Sequence, residues 1–130
     1  MKNKVIFHQF DPVIYPRKLW IVITEDEQVI LDRFDTVCDI EDFAKNSNAI
    51  VTNVTEKETK LKGCLLVFCT RKDLNIKTIT HESVHVTSNI FNDCNMTMGF
   101  DGGKDEHFVY LCGWVALCCE EVIKYKRNDN

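Results

Sequence analysis

His81-Glu82-Ser83-Val84-His85 sets two histidines four positions apart, with a glutamate next to the first. Residues i and i+4 of a helix stack on one face, so this spacing can aim two imidazole nitrogens at one metal ion. Glu82 lies about 100° round the helix from His81, beside the ligands rather than among them. A carboxylate there can take a proton from water that the metal has made acidic, so the pentad holds the parts for metal-assisted hydrolysis. The plain alternative is a pair of surface histidines with a solvated glutamate between them. Glu106 follows His85 by 21 positions, enough chain to turn and bring a carboxylate back. With His81, His85 and Glu106 as ligands, a zinc ion would keep its fourth position open to water, as catalytic zinc does. His107 is the adjacent choice for the third ligand, and Asp101 and Asp105 are weaker ones in or beside a glycine-containing loop. Neighbours on a helix point about 100° apart, so Glu106 and His107 cannot both face one ion. Glu106 shares its side with Tyr110, Gly113 and Leu117, and Gly113 is expected to let that side approach the histidine helix closely. Tyr110 could then orient a ligand or stabilise an oxyanion, the plain alternative being a buried structural tyrosine.

These residues need two helices and something for them to rest on. A helix is expected from Asp73, as N-cap, to about Cys94, with Ile76, Ile79, Ser83, Val86, Ile90 and Cys94 as its apolar stripe and the histidines roughly opposite. Asn95 to Gly103 reads as a loop. A second helix runs from about Lys104 to Lys124, its main stripe being Phe108, Leu111, Val115, Cys118 and Val122. The first half of the chain reads as strands. Val5 to Phe10 is a short one, and Leu19 to Thr24 is the clearest, being β-branched and aromatic. Gln28 to Phe34 suits either a strand or, as Glu25 to Phe34, a surface helix. Asp39 to Lys45 suits a turn or two of helix. Ala49 to Val54 and Leu61 to Cys69 pair as an antiparallel hairpin across a charged turn.

The 130 residues carry a net charge of −4 with 45% hydrophobic and 28% charged residues, which suits one ordinary globular domain, residues 1–130. No basic patch points to nucleic acid, and no apolar run has the length of a signal peptide or membrane span. Seven cysteines without CxxC spacing read as reduced thiols in a cytoplasmic protein. The expected fold class is α+β: a small antiparallel or mixed sheet, the HExxH helix between that sheet and a second C-terminal helix.

His81, Glu82, His85 and the downstream helical Glu106 resemble the gluzincin type of zinc metallopeptidase, especially its very small intracellular members. The resemblance spans Leu61 to about Leu117. It implies a minimal zincin-like domain in which His81, His85 and Glu106 bind Zn2+ and Glu82 is the general base acting on a peptide or protein substrate. The run Thr78 to His85, together with Glu106 to Leu111, is also similar to small uncharacterised bacteriophage proteins. That likeness implies an origin and leaves an alternative function: a non-catalytic, metal-stabilised phage protein that binds a host or phage protein. A strand such as Leu65 to Cys69, just before the histidine helix, is the expected place for an extended substrate to add by β-augmentation.

Overall fold

The computed structural model describes residues 5–99 and 105–125. A five-stranded mixed sheet runs in the order β1-β2-β5-β4-β3, where β1 is His8–Phe10, β2 Lys18–Ile23, β3 Phe34–Thr36, β4 Ala49–Glu56 and β5 Lys62–Phe68. β2 and β5 are parallel, and the other three neighbouring pairs are antiparallel. The β4–β5 hairpin forms as its sequence implies, Ala49 facing Phe68 and Thr55 facing Lys62. β5 is central and buried from Gly63 onward, so it reads as an unbroken apolar run. Gly63 is required where β5 meets β2: an added Cβ there would stand 2.1 Å from the Lys18 carbonyl oxygen.

One face of the sheet is covered by α1 (Glu27–Arg33) and α2 (Phe43–Asn46). Ile30, Phe34, Ile40 and Phe43 pack there on Trp20, Val22, Leu65 and Val67. The ambiguous segment after residue 24 becomes a helix because Asp26 caps it, accepting from the Gln28 amide, while Arg33 closes its last turn. The other face is covered by α3 (Ile76–Asp93) and α4 (Glu106–Lys124). Val86, Ile90 and Phe91 of α3 join Leu111, Val115, Cys118, Cys119 and Val122 of α4 in one cluster over Leu19, Ile21, Cys64, Leu66 and Phe68. The architecture is α+β with a mixed sheet. In that arrangement α3 lies against β4 and β5, and α4 packs against α3.

Local chemistry shifts several boundaries. Asp73 does not cap α3, because its carboxylate accepts from the amide and hydroxyl of Thr70 across the turn Arg71–Asp73. Asn75 caps instead, its Oδ1 accepting from the Thr78 amide at 3.0 Å. Ile76 leaves the apolar stripe: it opens α3 and is 86% exposed. The stripe that is buried adds Glu82, Thr87 and Phe91 to Ser83, Val86 and Ile90. At the far end of α4, Arg71 donates to the carbonyl oxygen of Ile123. Among the described residues, no helix is long and apolar enough to cross a membrane.

Candidate metal centre

His81 and His85 stand one turn apart on α3 with both side chains exposed and their Nε2 atoms 3.2 Å from each other. A zinc ion bonded to both at about 2.0–2.1 Å would see them roughly 100° apart, near the tetrahedral angle. The same separation suits one N–H···N hydrogen bond between neutral rings, so the pair is arranged to share either a proton or a metal. Glu82 lies deeper, only 9% exposed. Burial pushes its carboxyl above the ordinary range, and charge on His81 and His85 pulls the other way. Its side chain lines the same shallow depression as the histidines, about 320 Å³ in volume, completed by Asn89 of α3 and by Ala49, Ile50 and Val51 of β4.

Among the described residues, the β4 wall of that depression is a free strand edge. Asn48 O accepts from the Cys69 amide and Asn53 O from the Val37 amide, on opposite sides of β4. Main-chain groups of an antiparallel strand alternate in direction, so residues 48, 50 and 52 face β5 and residues 49, 51 and 53 face away from it. β3 pairs only with Val54–Glu56. Ala49 and Val51 are therefore left with their N–H and C=O groups directed away from the sheet, beside His81, Glu82 and His85. β5, the strand expected to add a substrate, is flanked on both sides by β2 and β4 and has no edge to offer. The edge passes to β4 because β3 is three residues long, which no pattern within β4 itself records. Asn89 was also missed, although it repeats the i+4 step from His85.

The described residues do not gather the rest of the expected site around the pair. Phe108, in the first turn of α4, packs on Phe91 with ring centroids 5.4 Å apart. Phe91 is six residues beyond His85, hence about 9 Å further along α3 and about 120° round it. The start of α4 thus sits at the other end and on another flank of α3. Glu106, Tyr110, Gly113 and Leu117 all face outward, and a Cβ added at Gly113 would meet nothing within 4 Å. The expected close approach through Gly113 does not occur, because α4 turns its Leu111–Val115–Cys118 side to the core. His107 and Tyr110 line a separate groove with Pro12, Ile14, Tyr15, Leu111 and Trp114. Asp105 is half-buried at the head of α4, and Asp101 lies outside the described residues. Among the described residues, no three His, Cys, Asp or Glu side chains come close enough to hold one metal ion. Comparison of the chain with protein-family models, curated proteins and solved structures gave no match.

Proposed function

We propose that the chain is a zinc-dependent hydrolase acting on peptides, with His81 and His85 as metal ligands, Glu82 as general base and the free edge of β4 as the substrate cradle. The observation that carries this reading is the 3.2 Å approach of the two imidazole nitrogens beside the buried Glu82 carboxyl. His81 Nε2 and His85 Nε2 would supply two of the ligands a zinc ion needs. When bound, zinc supplies Lewis acidity, which lowers the pKa of water and polarises a carbonyl. Glu82 takes the proton from the attacking water on a carboxylate oxygen and returns it to the leaving amine. Its desolvated carboxyl, held above the ordinary range, is a better match to that task near neutral pH than a solvated glutamate. Ala49 and Val51 can bond an extended peptide through their outward main-chain groups, which holds its backbone alongside the histidines.

The test is zinc content and turnover together. Protein purified without chelator should carry zinc, His81→Ala and His85→Ala should lose it, and Glu82→Gln should keep zinc while hydrolysing a mixed peptide library at least about a hundredfold more slowly. Absence of zinc uptake on titration refutes the site.

A second reading has its own observation. Two protein ligands beside a shallow depression suit a metal that stabilises the fold or a docked partner without turnover, as in a phage protein that binds a host or phage protein. Zinc uptake that raises the melting temperature, with no hydrolysis by wild type above the Glu82→Gln level, would favour it. All seven cysteines are free thiols, which supports a cytoplasmic setting under either reading.

A further inference from the structure

Helix α4 has more apolar surface than its packing uses. Leu111, Val115, Cys118 and Val122 take one side into the core, yet on the other Tyr110 is 74% and Leu117 53% exposed. Between these two lies Gly113, whose missing side chain leaves an open gap. Glycine inside a helix costs about 1 kcal/mol relative to alanine, and nothing among the described residues requires it here. Glu106, Tyr110, Gly113, Leu117, Glu120 and Lys124, all exposed, follow one another in steps of four, three, four, three and four. That alternation keeps a seam facing a neighbouring helix.

The charges on the seam select the neighbour. A second identical seam, run antiparallel about a two-fold axis level with Val115, sets Glu106 against Lys124, Tyr110 against Glu120 and Leu117 against Gly113, each contact made twice. A parallel pairing would place Glu106, Glu120 and Lys124 against themselves. An antiparallel pairing centred on Gly113 would place Glu106 against Glu120. Only the register centred on Val115 joins opposite charges and seats the large apolar side chain over the small one. Lys124 already lies 3.9 Å from Glu120 of its own helix, so Glu106 of the partner subunit would complete a three-charge group.

We infer that the outer face of α4 is a docking surface for a second copy of this chain, in an antiparallel, two-fold pair with Leu117 of each copy seated over Gly113 of the other. The Tyr110 hydroxyl donates to the opposing Glu120 carboxylate. Ile14, 78% exposed beside Tyr110 in the neighbouring groove, extends the apolar area. The seam is about 28 Å long and one helix wide, below the roughly 800 Å² per partner of a stable complex, so the dimer is weak and reversible. His81 and His85 lie on a different flank of α3 from the one that meets the start of α4, so they stay open in both states.

Sedimentation equilibrium of the full chain from about 1 µM to about 1 mM tests this. Wild type should show a monomer–dimer equilibrium, and Leu117→Arg should be monomeric throughout with an unchanged circular dichroism spectrum. Glu106→Lys and Lys124→Glu should each weaken the dimer about tenfold, and the two together should restore it. A wild type that stays monomeric overturns the inference. So does a double variant no tighter than the single ones, which would exclude this register, or a dimer indifferent to Leu117→Arg, which would place the contact elsewhere.

Discussion

Glu82→Gln should stabilise the metal-free protein. Glu82 is 9% exposed, its carboxyl is raised above its ordinary range chiefly by desolvation, and no hydrogen-bond donor among the described residues meets it. Desolvation thus disfavours the charged form of this carboxyl in the fold, and charge on the two neighbouring imidazoles offsets it only in part. A buried amide without a partner is also unfavourable, but less so than a charge, so the substitution should gain on the order of 1 kcal/mol. Unfolding entropy of about 2.1 cal/mol/K per residue over this chain makes that gain roughly 4 °C in melting temperature. The gain should depend on pH. The native carboxyl holds its proton to higher pH than the unfolded one, so wild-type stability falls as pH rises through the native value and the variant lacks that slope. The difference should be largest at high pH and fade as pH falls well below the unfolded carboxyl's value of about 4.3, where both native and unfolded carboxyls are protonated. Thermal melts of both proteins in chelator, at pH values spanning this range, measure it. A variant less stable than wild type at pH 7.5 would show that the carboxylate makes a stabilising contact, and the account of Glu82 as a working group held at a cost in stability would fail.

The position of α4 makes an uncommon prediction for zinc: Glu106→Ala and His107→Ala should bind it as tightly as wild type, and isothermal titration of both would expose a third ligand if either weakens. Gly63→Ala should cost about 3 kcal/mol or more, since the new Cβ would fall 2.1 Å from the Lys18 carbonyl oxygen in the parallel β2–β5 pair; chemical denaturation checks it, and a loss under about 1 kcal/mol would mean the two strands can part there. Thiol reagent at pH 8 should find Cys38 quickly and leave Cys118 and Cys119 unmodified until the protein is denatured, because Cys38 is exposed while burial pushes the other two thiols up to about 12. Mass spectrometry of the timed reaction would show early labelling of Cys118 or Cys119 if the core is looser than described.

The sequence by itself determined what can be read from neighbours along the chain. His81 and His85 approach each other because i+4 spacing on a helix brings them together whatever surrounds it. The β4–β5 hairpin, the buried run of β5 and the Leu111–Val115–Cys118–Val122 stripe of α4 were equally legible, since periodicity and turn chemistry are local. Cys64 and Cys69 fall in the two opposite core clusters, as odd spacing on a strand requires. Tertiary structure decided which elements face one another. Glu106 had the right chemistry and enough chain to reach the histidines, but α4 was fixed by burying its own stripe, and that rotation turns Glu106, Tyr110 and Gly113 outward. Phe91 against Phe108 then sets the start of α4 at the far end of α3. The free edge of β4 at Ala49 and Val51 arises in the same way, from the shortness of a different strand and from β2 inserting beside β5. Side-chain identity and spacing establish which groups a helix can present. Which helix flank meets which strand edge follows from the burial of apolar area across the whole chain, and that sum has no local signature.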